Sequence, residues 1–252
     1  MNALSIGDRV RPGPYRLHAR FPRSVLLIDA SQRMIFVVAP SLGPGPLNVV
    51  VPDPHALVSN QSLIIPRPIP GPRYHSAMPR LIRASREILR QTLVHALRRH
   101  APPDSLVSLL EPPRPASSFQ QSRDDYFRNA LAMIQRGRLA QGVRLLRGCG
   151  QGLTPSGDDF LCGWMLACRL RRSPATAKTI HGHARANNPV SNAFLEMAAQ
   201  GRIPLPIQRL LHSPDDAHVR AVCAFGHTSG ADLLCGLAAG LNGPFPETPR
   251  LP

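Results

Sequence analysis

The chain has 252 residues, 43% hydrophobic and 18% charged, enough to bury one large core or two modest ones, and no apolar run approaches the roughly 20 residues that cross a bilayer. These proportions fit a globular protein and exclude a membrane partner or span. Thirty Lys and Arg against 15 Asp and Glu give a net charge of +15. Lys178 is the single lysine and the arginines are scattered through every segment, as a general preference for arginine produces; with no helix-turn-helix, zinc-finger or aromatic RNA-binding signature, no nucleic-acid partner is expected, while an acidic partner or a small anionic substrate stays open.

The start, MNALSIGDRVRPG, lacks a basic region followed by an apolar stretch and a cleavage site, so a cytoplasmic location is expected. From Tyr15 to about Pro52 the runs YRLHARF, SVLLIDA, RMIFVVA and LNVVVP alternate with turn residues, which predicts a small antiparallel sheet or partial barrel. This β-rich N-terminal domain is assigned to residues 1–65. The Pro-rich stretch 66–79 reads as a stiff linker or as a loop lying on the next domain. From Arg80 the period changes: RLIRASREILRQTLVHALRR predicts an amphipathic helix, and a Pro/Ser-rich connector, Glu111–Ser118, precedes DDYFRNALAMIQRG and LAQGVRLLRG, both helical in spacing and both stopped by glycine. Further helices are expected from Ser156, about Pro174, Ser191, Pro214 and Ser229. The fold class is therefore α+β, with a mainly α-helical C-terminal domain over 80–245. Cys149, Cys162, Cys168, Cys223 and Cys235 form no CxxC pair and read as small buried hydrophobes rather than as a zinc or disulfide framework.

One phrase occurs twice. SGDDFLCG begins at Ser156 and SGADLLCG at Ser229, 73 positions on. Thr or Ser, then Gly, then Asp ahead of an apolar helical pattern describes a helix N-terminus, where hydroxyls cap free amides and acids complement the dipole. Gly163 and Gly236 lie inside those helices and each costs about 1 kcal/mol against alanine, which predicts a close helix crossing near the two starts. Two helix starts brought together would aim unpaired amides and two positive dipole ends at one point, a suitable seat for an anion. The glycine-rich GCGQG loop, with Gly148, Gly150 and Gly152, feeds the first copy as phosphate-cradling loops do, although it matches neither the GxxxxGK[ST] pattern nor a strand-following GxGxxG.

The candidate anion-binding residues are Gly150, Gly152, Thr154, Ser156, Gly157, Asp158, Ser229, Gly230 and Asn192. Each hydroxyl among them has capping as its alternative role, and Asn192 belongs to an Asn/Ser-rich helix start, NNPVSN, that could equally hold a substrate amide. Asp159, Asp232 and His227 are the catalytic candidates: both aspartates persist across the repeat, and His227 is placed to donate to a carbonyl or move a proton. Adjacent Asp158 and Asp159 are either first-turn acids or oxygen ligands for Mg²⁺, so a metal is neither required nor excluded.

GQGLTPSGDDFLCG, NNPVSNAFLEMAAQG and GHTSGADLLCGL together resemble the AllH-type subunit family of oxamate carbamoyltransferase, once catalogued as a domain of unknown function, over roughly Leu139 to Leu241. Gln151 stands where the family's glycine loop has proline. The resemblance implies a subunit of a multi-protein enzyme of allantoin and purine-nitrogen catabolism that interconverts oxalurate plus phosphate with oxamate plus carbamoyl phosphate. It also implies other subunits as partners and one of these small anions as ligand. The rival readings are a Mg²⁺-dependent hydrolase built on the aspartates and a non-catalytic subunit that senses an anion.

Overall fold

The computed structural model describes residues 2–58, 60–110 and 117–242, which divide into two compact units. The first comprises residues up to Met78 together with Arg202–Arg209. Its strands are β1 (Ser5–Gly7), β2 (Gly13–Phe21), β3 (Ser24–Ile28), β4 (Met34–Val38), β5 (Asn48–Val50), β6 (Ser62–Ile65) and β7 (Arg73–Tyr74), with a one-turn helix α1 (Pro54–Leu57). They make a single sheet in the order β6-β2-β3-β4-β5-β1-β7, antiparallel except for the parallel pairs β4/β5 and β1/β7. Val25 and Leu27 on β3 alternate onto the same face as Ile35 and Val37 on β4, and Ile6, Tyr15, Val49 and Ile65 complete a buried cluster there. Residues of β3 and β4 are buried on both faces, which is why their sequences read as unbroken apolar runs. The DASQ break between them is closed by Asp29, whose carboxylate accepts the Ser31 amide at 2.8 Å and the Arg33 amide at 2.9 Å.

Two features of this unit were not legible in the sequence. The stretch 66–79, expected as a linker, supplies β7 beside β1, and Ser76 Oγ donates to Asp8 Oδ1 at 2.6 Å. Arg202–Arg209, far along the chain, returns to the unit: Arg202 pairs with Asp8 at 3.1 Å and Tyr74 Oη donates to the Ile203 carbonyl at 2.9 Å.

The second unit is helical: α2 (Arg83–His100), α3 (Ser118–Gln135), α4 (Leu139–Leu146), α5 (Ser156–Leu170), α6 (Pro174–Ala184), α7 (Pro189–Ala199), α9 (Asp216–Cys223) and α10 (Ser229–Leu241), with a 3₁₀ turn over Leu106–Leu110. α8 (Leu205–His212), between α7 and α9, straddles the two stretches. The Glu111–Ser118 connector lies outside the described residues over 111–116, as do 243–245 of the expected helical domain; Ser117 follows as the cap of α3, its Oγ accepting the Gln120 amide at 3.3 Å. α5 and α10 form the central pair, apolar on all sides and almost wholly buried. A Cβ on Gly163 would run into the Leu233 carbonyl and one on Gly236 into the Phe160 carbonyl. The two helices therefore cross backbone to backbone, each glycine against the partner residue that occupies the same place in the repeat. Phe160 extends the contact edge-on to Phe127 and Trp164, with ring centroids 6.4 and 5.6 Å away.

Candidate functional site

The repeat is larger than eight residues. A Cβ on Gly157 would strike the Leu146 carbonyl at the end of α4, and one on Gly230 the Val222 carbonyl at the end of α9. The Gly157 amide donates to the Cys149 carbonyl at 2.8 Å and the Gly230 amide to the Phe225 carbonyl at 3.1 Å. Each copy is thus a short helix, a glycine turn and a long buried helix. Leu146 and Val222 stand 76 positions apart while Ser156 and Ser229 stand 73 apart, so the first turn is three residues longer. Asp158, which has Ala231 as its counterpart, secures that longer turn: its Oδ1 accepts the Gly148 amide at 2.7 Å and its carboxyl faces the Ser191 hydroxyl.

The crossing brings the two starts together. Thr154 Oγ1 donates to Asp159 Oδ2 at 3.1 Å and lies 3.0 Å from Ser229 Oγ on the other helix. Ser229 also favours the ionised form of Asp159, and Ser156 of the opposite copy, with Thr228, favours that of Asp232. Neither helix start carries a side-chain cap. The hydroxyls are spent across the pair instead. Asp232 Oδ1 accepts the Leu106 amide at 2.7 Å, whereas its Oδ2 is buried with no bonding partner. Burial drives Asp159 well above the usual carboxylate range, with the charge of Asp232 adding to the rise, and burial likewise raises Asp232 and Asp158.

The amides are fewer than two helix starts offer in principle. Those of Gly157 and Gly230 are bonded within their own turns, and those of Asp158 and Asp159 both reach the Pro155 carbonyl. The amides of Ser156 and Ser229 remain without a backbone partner among the described residues. Gly150, at φ +114°, sits over the Ser156 amide, where a Cβ would come within 2.7 Å of it; Gly226, at φ +61°, lies more loosely beside Ser229, where a Cβ would be 3.3 Å from the hydroxyl and 4.0 Å from the amide. Gly152, at φ +98°, has open space around it.

His227 stands apart from the buried carboxyls. Its side chain is 82% exposed and its Nδ1 lies 3.2 Å from Asp104 Oδ2. Asn192 has both ends of its amide on the backbone of Ala186, at 3.1 and 2.7 Å. Asn188 caps α7 through Val190 and Ser191 and donates Nδ2 to the Leu153 carbonyl of the glycine loop at 3.0 Å. Leu106 and Arg123 were missed by sequence reasoning. Arg123 holds the carbonyls of Asp104 and Ser105 and so steadies the turn whose amide reaches Asp232. Nothing in the spelling of that turn ties it to a motif over a hundred residues away. Among the described residues no group of three or more His, Cys, Asp or Glu side chains is arranged to hold a metal ion.

Fold and site together define an α+β protein whose helical unit carries an internally repeated turn-and-helix motif with a shared polar centre. Residues 146–241, which hold both glycine turns and both long helices, match the family model described as "Oxamate carbamoyltransferase subunit AllH". No solved structure matches the chain. Among the described residues no helix is long and apolar enough to cross a membrane.

Proposed function

We propose that the protein is the AllH-type subunit of a cytoplasmic oxamate carbamoyltransferase-like enzyme of allantoin and purine-nitrogen catabolism, and that the paired helix starts bind a small anion of the reaction. The observation that carries this reading is the meeting of the two copies at Thr154 and Ser229, 3.0 Å apart, inside the segment that matches the family. Free amides at Ser156 and Ser229, with the hydroxyls around them, suit a phosphate or carboxylate oxygen. A charged carboxylate beneath would repel such a ligand; burial, which favours the neutral acid, removes that conflict.

The same protonation suits the chemistry. Phosphorolysis of oxalurate joins a phosphate oxygen to the ureido carbon and breaks its bond to the neighbouring amide nitrogen, which departs as oxamate and needs a proton. Asp159, whose hold on its proton burial strengthens and which is linked through the Thr154 and Ser229 hydroxyls to the half-exposed rim, is the proton source in this reading, and Asp232 orients an amide nitrogen. His227 moves protons at the exposed edge.

The test is phosphate-dependent turnover of the complex reconstituted with the other subunits. Asp159→Asn and Asp232→Asn are each expected to lower it on the order of 100-fold while the protein folds and still assembles. Unchanged turnover in both variants refutes the catalytic assignment, and phosphate binding without turnover in any assembly identifies a regulatory subunit.

A further inference from the structure

Charge in the helical unit is lopsided. Between Asp125 and Glu196 the chain carries ten Arg and Lys residues and two acids, Asp158 and Asp159, both buried. Every exposed formal charge contributed by that stretch is therefore positive. α4 and α6 contain no acid at all, and the ends of these two helices bring cations together. Arg144 Nη2 lies 3.4 Å from His183 Nδ1, and Arg147 Nη1 donates to the carbonyls of His183 and Arg185 at 3.4 and 3.3 Å. Arg144, Arg147 and Arg185 are exposed, and none forms an ion pair among the described residues, although the charge of Arg147 acts on the buried Asp158.

Elsewhere the same unit pairs several of its arginines with acids. Arg90 pairs with Glu87 at 2.6 Å and Arg123 with Asp124 at 2.9 Å, and Arg99 is paired with Asp216. At the α4/α6 ends, guanidinium groups rest instead on one histidine and two carbonyls and keep most of their donors for solvent. Arginine is the residue best suited to bidentate pairing with carboxylates across an interface. The patch also borders the site: Arg147 immediately precedes Gly148, whose amide is held by Asp158, and the adjoining loop presents Leu153, 41% exposed, as an apolar contact.

We propose that this face, with Arg144, Arg147 and Arg185 at its centre, docks an acidic, Asp/Glu-rich face of a partner subunit; the proposal rests on the subunit reading above. A small anion fits the patch less well, because the guanidiniums are spread over two exposed helix ends. A nucleic-acid duplex fits less well because its contacts run as a stripe, and these cations form a bounded cluster. Docking here would set the partner against the glycine loop of the paired helix starts and couple assembly to the site.

The experiment uses the full chain and a labelled poly-L-glutamate peptide at low salt, followed by fluorescence anisotropy. The triple variant Arg144→Ser, Arg147→Ser, Arg185→Ser is expected to bind roughly tenfold more weakly, while a control with Arg16→Ser, Arg23→Ser and Arg73→Ser keeps most of the affinity. Equal weakening in the two triples overturns the proposal, since net charge alone would then explain binding. Displacement of the peptide from the wild type by millimolar inorganic phosphate, or tighter binding of a DNA duplex through the same arginines, overturns it in favour of those ligands. Mixing with the other subunits of an oxamate carbamoyltransferase separates the two readings. Loss of co-elution in the triple variant alone supports the proposal, and equal co-elution refutes it while leaving the subunit reading intact. Failure of the wild type to assemble refutes the subunit reading, and the peptide comparison still decides the surface.

Discussion

Gly163→Ala places a methyl group against the Leu233 carbonyl and the Leu237 amide, both backbone atoms of the crossing helix, which cannot rotate away as a side chain would. Carbon and carbonyl oxygen normally meet at about 3.3–3.6 Å, so α5 and α10 must part by more than about 1 Å where they touch. Alanine is the better helix former by about 1 kcal/mol. Overpacking of a close-packed core costs about 1–3 kcal/mol, and here the shift also loosens both helix starts and the Thr154–Ser229 contact. The net expectation is destabilisation by roughly 1–2 kcal/mol, read as a lower urea midpoint with an unchanged m value. Gly236→Ala repeats the clash from the other side, against Phe160, so the double variant should cost less than the two single variants together, because helices already parted by one methyl accommodate the second. A Gly163→Ala protein as stable as wild type, or strict additivity in the double variant, refutes the crossing described above.

Two further outcomes follow from the carboxyls and the loop. Asp159 has its folded-state pKa raised by burial, so its protonated form stabilises the fold: that contribution is complete below the unfolded value of about 3.9 and is lost as pH rises through the folded value. Relative to wild type, Asp159→Asn should therefore gain stability as pH increases, each pKa unit of the rise being worth about 1.4 kcal/mol, and urea midpoints at about pH 5 and pH 8 that differ equally in the two proteins would contradict it. Asn188→Ala removes the cap of α7 and the bond to the Leu153 carbonyl together, at an expected cost of about 1–2 kcal/mol, with faster amide exchange confined to the glycine loop and the first turn of α7. Protection unchanged in the glycine loop would show that Asn188 caps its helix and does nothing more.

The repeated motif also explains its own asymmetry. The first turn is longer by three residues and needs an internal tie, which Asp158 provides through the Gly148 amide; the shorter second turn closes through Gly226 and the Phe225 carbonyl, and Ala231 suffices there. The difference between the copies follows loop length, and the bond to the Gly148 amide ties Asp158 to the glycine loop.

By itself the sequence determined the class of each half, because short apolar runs broken by turn residues mark the strands of a sheet and helical spacing buries one stripe of a helix, and both signals are local. It also determined that two helices begin with the same phrase and carry glycines one turn or so within. Short strands such as β7, with two residues, have no period to display, and α8 fell between two turns. What the tertiary structure alone decided was direction. Thr154 and Ser156 are spelled as caps, yet they are used across the pair. Asn192 turns back onto Ala186 while Asn188 reaches the loop, and Leu106 arrives at Asp232 from a turn with no motif. A side chain's residue type fixes which bonds it can make, but only the packing of α5 against α10 brings the partner within about 3 Å, where a hydrogen bond forms.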